Sequence, residues 1–215
     1  MIAESFGDDI MIAIIDYGAG NIQSVSKAFK HIGCDCFITR DKNDILSAEA
    51  AVLPGVGSFG DTVDSLDKYG IRDAVLEFIK SGKPFLGICL GLQLLFPESE
   101  ESPEAKGLGL FDGTITKIPN GEGLKIPHMG WNSLSFPKRG RLFEGIEGNP
   151  YVYFVHSYYL NAANKDIVAA QTEYGVTIDA AVESGNVFAT QFHPEKSGDV
   201  GLQILRNFVR IAKGE

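Results

Sequence analysis

The feature that most constrains this chain is an alternation in its first half, where short apolar runs are separated by stretches of helical pattern. Ile12-Ala13-Ile14-Ile15 is apolar throughout, the signature of a strand covered on both faces. Gly18 and Gly20 then make a turn, and Asn21 is placed to cap a helix reaching about Ile32. Cys36-Phe37-Ile38 and Ala51-Val52-Leu53 read as the next strands, the latter ending at Pro54-Gly55. Helical segments start at Asp61 and span 71–80, and Pro84-Phe85-Leu86-Gly87-Ile88 is a further strand. This rhythm calls for an α/β fold with a mostly parallel central sheet and helices on both faces.

The second half changes period. Residues 151–159 alternate and are rich in β-branched and aromatic side chains. Segments 178–183 and 187–191 flank Ser184-Gly185-Asn186 and read as a hairpin, and an amphipathic helix is expected over 200–212. The strands of this half are therefore expected to extend the sheet antiparallel. No internal repeat, low-complexity segment or long linker divides the 215 residues, so 11–215 reads as one domain. Residues 1–10 are acidic with no basic n-region and read as an N-terminal extension, not a secretory signal.

Composition removes several classes of function. A net charge of −9 with no Lys/Arg run cannot supply phosphate contacts, so neither nucleic acid nor an anionic membrane is an expected partner. No apolar stretch approaches the length of a membrane span. Cys34, Cys36 and Cys89 form neither a disulfide framework nor a zinc site, which points to a reducing cytoplasm and to no metal or organic cofactor.

Gly87-Ile88-Cys89-Leu90-Gly91 carries the sharpest chemical signal. It follows an apolar strand and opens a helical run expected over 92–96, stopped by Pro97. That is the setting of a nucleophile elbow, where flanking glycines permit the tight turn and leave room for substrate. A cysteine nucleophile needs a base and an orienting group. His31 reads as a surface residue at a helix end, and His128 and His156 as structural histidines among aromatics. His193 follows an apolar strand in His193-Pro194-Glu195, so Glu195 is placed to hold the second ring nitrogen. Gly55-x-Gly57-x-x-Gly60 matches a dinucleotide fingerprint literally but follows the third strand, not the first. An oxyanion hole beside Cys89, built from backbone amides of that loop, accounts for it better.

Together, Pro54-Gly55-Val56-Gly57, the Cys89 elbow through Gln93 and His193-Pro194-Glu195 resemble the class I glutamine amidotransferases. Within that class, four segments resemble the glutaminase subunits of imidazole glycerol phosphate synthases: Ile15 to Asn21, Pro127 to Asn132, Tyr153 to Tyr158, and Lys196-Ser197 after the triad. The resemblance runs from about Met11 to the C-terminus. It implies glutamine as substrate, a Cys89–His193–Glu195 triad, and an oxyanion hole from Gly55, Val56, Gly57 and Leu90. It places Gly57, Gln93, Glu101, Ser157 and Tyr158 at the glutamine. It also implies a heterodimer with a (βα)₈-barrel cyclase subunit that receives the ammonia by channelling, in histidine biosynthesis, with Asn21, Trp131, Tyr153 and Lys196 facing the partner. Glutaminase subunits serving pyridoxal phosphate, guanylate or anthranilate synthesis are the rivals within the class, and a non-catalytic subunit or a nucleotide-binding protein outside it.

Overall fold

The computed structural model describes residues 10–18 and 21–215. The expected extension therefore lies outside the described residues except for Ile10, which is buried. The first half runs β1 (Ile12–Ile15), α1 (Ile22–His31), β2 (Cys36–Thr39), α2 (Lys42–Ser47), β3 (Ala50–Gly55), α3 (Phe59–Lys68), α4 (Ile71–Lys80), β4 (Phe85–Cys89) and α5 (Leu90–Gln93). The second half runs β5 (Glu98–Ser99), β6 (Gly113–Lys117), β7 (His128–Ser133), β8 (Tyr151–His156), β9 (Tyr158–Ala162), β10 (Val168–Glu173), β11 (Thr177–Ser184), β12 (Val187–Thr190) and α6 (Gly198–Lys213).

The central sheet has seven strands in the order β10-β11-β12-β4-β3-β1-β2. From β12 to β2 every pairing is parallel, while β10 and β11 add an antiparallel margin. The uniformly apolar runs follow from this burial. Ile12 and Ile14 of β1 enter one core with Val25 and Phe29 of α1 and Leu205 and Phe208 of α6. Ala13 and Ile15, one residue out of phase, enter the opposite core with Val63 and Leu66 of α3 and Val75 and Phe78 of α4.

Some expectations need correction. Residues 151–159 are not one strand and do not extend the main sheet. They break at Ser157 into β8, paired antiparallel with β7, and β9, paired antiparallel with β6 in a separate three-stranded sheet. The helix after Cys89 is shorter and earlier than expected, ending at Gln93 rather than Phe96. The six-residue α2 carries no long periodic signal; the Asp41 side chain starts it by accepting from the Asn43 and Asp44 amides.

The turn from β4 into α5 lies directly on β3. A Cβ on Gly91 would fall 2.0 Å from the Leu53 carbonyl oxygen, and one on Gly87 would fall 2.6 Å from the Gly91 carbonyl oxygen. Both obstacles are backbone and cannot swing aside. Gly91→Ala is expected to destabilise the fold by about 3 kcal/mol, at the upper end for overpacking. Urea denaturation checks this, and an unchanged midpoint would contradict so close a contact.

Candidate active site

Cys89 closes β4 with φ 56 and ψ −104, a backbone that costs a non-glycine residue roughly 1–3 kcal/mol. Packing of Gly87 and Gly91 against their backbone neighbours holds it there, the strained elbow that the sequence pattern implied. The sulfur is nearly buried and lies 3.9 Å from the Val155 carbonyl oxygen. Gln191 Nε2 donates to it at 3.6 Å. Gln191 is fully buried, and its Oε1 accepts from Gln93 Nε2 at 3.2 Å. Gln93 Nε2 also donates to the Tyr158 carbonyl at 3.0 Å, so the order of the amides is set and Gln191 must turn its NH₂ to the sulfur. Sequence reading missed Gln191. The available signal was a polar residue inside the apolar stretch that leads to His193.

His193 follows the end of β12. Its Nδ1 stands 2.8 Å from Glu195 Oε1, and both side chains are fully buried. A carboxylate only accepts, so Nδ1 carries the hydrogen and Nε2 is left for chemistry. Nε2 faces the Cys89 sulfur without closing a hydrogen bond of normal geometry. Burial opposes a charge on this ring, but the Cys89 sulfur and the Glu195 carboxylate outweigh it and push the His193 pKa up to about 10. The turn Pro194–Lys196 is pinned from below, since Ser197 Oγ donates to the His193 carbonyl at 2.7 Å and accepts from the Tyr153 amide at 2.9 Å. The His193 amide in turn donates to the Tyr153 carbonyl at 3.0 Å.

Asn21 departs from its expected use. It occupies the N-cap position of α1 with φ 73, yet its side chain makes no capping bond. Instead Nδ2 donates to Glu195 Oε1, the oxygen that holds His193. A residue expected to cap the helix and to face the partner thus makes no cap and adds one group to the row Cys89–His193–Glu195.

A cavity of about 360 Å³ opens in front of the sulfur. Val56, Gly57, Leu90, Gln93, Glu101, Ser157 and Tyr158 all line it, so the structure brings the expected substrate residues together around Cys89. Gly55 stands behind this wall, where a Cβ would meet Leu90 Cβ and the Tyr17 hydroxyl, each at 2.7 Å. Gly57 has φ 110 and open space around it. Glu101 is anchored by the Phe59 amide, which donates to Oε2 at 2.8 Å. A larger cavity of about 450 Å³ lies elsewhere, between Arg141 and Glu183, which are paired with each other at 2.7 Å, and Lys138, Arg139 and Asp166. Among the described residues no group of His, Cys, Asp and Glu side chains is arranged to hold a metal ion. No helix among them is long and apolar enough to cross a membrane.

His128 and His156 form a second buried pair beside the cavity. His156 Nδ1 donates to the Tyr158 carbonyl at 2.9 Å, so its Nε2 accepts from His128 Nδ1 at 3.0 Å. His128 stacks on Tyr174 with ring centroids 3.8 Å apart. Burial pushes His128 down to about 4 and His156 down to about 3, so both rings are neutral where His193 is charged. On the outer side of β7 and β8, Trp131 is 55% exposed and meets Tyr153 edge-on, and Lys196 is exposed in the turn after His193. Met129 and Tyr151, each 61% exposed, add to this face and were not singled out from sequence.

The family model described as Glutamine amidotransferase class-I matches residues 13–212. The chain belongs to the class I glutamine amidotransferases. It is 54% identical over 203 residues to the imidazole glycerol phosphate synthase subunit HisH of Methanothermobacter thermautotrophicus, covering 94% of this chain and 100% of the relative. The subunit HisH of Caldanaerobacter subterraneus subsp. tengcongensis is 51% identical over 203 residues, covering 94% and 99%. Among solved structures, PurLQS from Thermotoga maritima superposes with a TM-score of 0.74 at 22% identity, over 94% of this chain and 98% of that one, a likeness of fold. As a member of this amidotransferase class the chain is an enzyme, with the mostly parallel α/β architecture expected of it.

The two neutral histidines set an acid limit on this amidotransferase. In the unfolded chain each takes a proton near pH 6.5, but in the fold only near 4 and 3. Between those values the unfolded state binds more protons, so stability is full above about pH 6.5 and declines as pH falls toward about 4. Urea midpoints measured across that range should fall less steeply for His128→Gln than for the native protein. Equal slopes would remove the pair as the cause.

Proposed function

We propose that this chain is the glutaminase subunit of an imidazole glycerol phosphate synthase, releasing ammonia from glutamine for a cyclase subunit in histidine biosynthesis. The observation that carries the reading is the buried row of Cys89, His193 and Glu195 at the wall of a cavity already furnished with Gln93 and Glu101. The near full-length identity to HisH subunits supports the choice within the class.

The chemistry follows from the row. Cys89 Sγ attacks the side-chain carboxamide carbon of glutamine, and the carbonyl electrons move onto oxygen. The amides of Leu90 and of the Gly55-Val56-Gly57 strand receive that oxyanion. His193 Nε2 delivers its proton to the departing nitrogen, ammonia leaves, and a thioester remains. A water molecule, deprotonated by His193, then attacks the thioester carbon, the C–S bond breaks, glutamate leaves, and the Cys89 sulfur and the His193 proton are back in their starting places. Glu195 holds Nδ1–H throughout, and Asn21 holds Glu195. Glu101 and the free Oε1 of Gln93, both acceptors, take the α-ammonium of the substrate, while Ser157 and Tyr158 hold its carboxylate end. Residues 11–215 act as one amidotransferase unit. The face bearing Trp131, Tyr153 and Lys196 meets a (βα)₈-barrel cyclase, and Asn21 joins that edge to the triad.

Glutamate release tests this directly, for the chain alone and with a cyclase subunit carrying its nucleotide ligand. The rate alone should be low, rise at least tenfold with the occupied partner, an effect of about 1.4 kcal/mol, and fall by more than about 10³-fold in Cys89→Ala. A high rate that ignores the partner would keep the cysteine mechanism and discard the synthase assignment. Glutamine-dependent synthesis surviving in Cys89→Ala would discard the nucleophile.

A further inference from the structure

Among the described residues, the buried side-chain polar atoms without a hydrogen-bond partner are His193 Nε2, Glu195 Oε2 and the Tyr17 hydroxyl. The first two belong to the triad. Tyr17 lies just beyond β1, is 2% exposed, and takes no part in the chemistry described so far. Its hydroxyl oxygen is packed against the end of β3, at 2.7 Å from where a Gly55 Cβ would stand. The Thr62 hydroxyl and the Val56 amide both face that oxygen, and neither closes a hydrogen bond of normal geometry. A buried hydroxyl left in this condition is unfavourable, and fold stability gives no reason to keep it over a phenylalanine.

We propose that Tyr17 is a positioning residue of the oxyanion strand, whose hydroxyl donates to the Gly55 carbonyl once the Gly55–Val56 peptide has turned its N–H toward the substrate oxygen. The inference rests on the amidotransferase reading above. In a trans peptide the Gly55 carbonyl and the Val56 N–H point in opposite directions, so a half-turn of that one unit exchanges their places. With the Val56 amide on the Tyr17 side it is withheld from the cavity. After the half-turn it enters the cavity, and the Gly55 carbonyl arrives, buried, at the phenol. A buried carbonyl requires a donor. The Tyr17 hydroxyl is the group in place, since a phenol can face a donor in one state and donate in the other. Burial pushes its pKa up, so the donor proton is retained. Gly57, at φ 110 with no atom within 4 Å of an added Cβ, leaves the adjoining backbone free to follow.

Tyr17→Phe tests the idea, because it keeps the ring and removes only the unpaired oxygen. With the cyclase subunit and its ligand present, kcat for glutamate release should fall about tenfold or more, while KM for glutamine stays within about twofold. The melting temperature should be unchanged or higher, since no bond is lost from the fold as it stands. Alkylation of Cys89 by iodoacetamide, followed by mass spectrometry, forms no oxyanion and should keep its native rate. A lowered melting temperature with native kcat would overturn the proposal in favour of a structural role. Slowed alkylation would overturn it in favour of damage to the nucleophile. If the native complex itself released no glutamate, the amidotransferase reading would fall and this inference with it; a native complex that works beside an equally active Tyr17→Phe would sink the inference alone.

Discussion

The contact between the turn after β4 and the backbone of β3 is the constraint on which the site depends. Gly91 rests on the Leu53 carbonyl so closely that no side chain fits between them. That approach keeps Cys89 in a backbone conformation it would not choose alone. It also brings the ends of β3, β4 and β12 to one edge, with Gly55 level with Cys89 and Thr190 level with Ile88. Loops at the carboxyl ends of parallel strands converge there, and each brings one group to the site: the Val56–Gly57 backbone after β3, the Cys89 sulfur at the end of β4 and the His193 imidazole after β12. The cores on either face of the sheet, with Phe29 and Phe208 in one and Phe59 and Phe78 in the other, hold that edge rigid.

Histidines of opposite character sit within this one region, and their surroundings explain the difference. His193 has a carboxylate on one side and a sulfur on the other, so burial intensifies interactions that favour its charge. Burial alone keeps His128 neutral, and at His156 the neighbouring His128 and His193 rings add to burial and outweigh the Tyr158 carbonyl. A neutral pair with defined tautomers fixes the direction of the Tyr158 carbonyl, which also receives Gln93. The cavity wall is thus oriented by groups that do not take up protons near neutrality.

Much of this was legible in the sequence because it is local. Uniform apolar runs gave the buried parallel strands, the Gly185-Asn186 turn gave the hairpin of β11 and β12, and glycines around Cys89 gave the elbow. The rest depends on meetings between distant parts of the chain. Asn21 and Glu195 lie 174 residues apart, and Gln191 and Cys89 lie 102 apart, so no spacing along the sequence hints at either contact. The division of 151–159 at Ser157 was hidden for a related reason. Its alternation of buried and exposed residues persists through β8, and the change of partner strand from β7 to β6 occurs without a glycine or proline to mark it.

The clasp between Tyr153 and the His193 turn has a mechanical meaning. Tyr153 gives its amide to Ser197 and its carbonyl to His193, while its own ring leans on the exposed Trp131. Both bonds end on the turn itself, at the His193 amide and the Ser197 hydroxyl, so β8 and the turn that carries the imidazole are fastened to each other. The place of the His193 ring is thus set by a strand whose outer face carries an exposed indole.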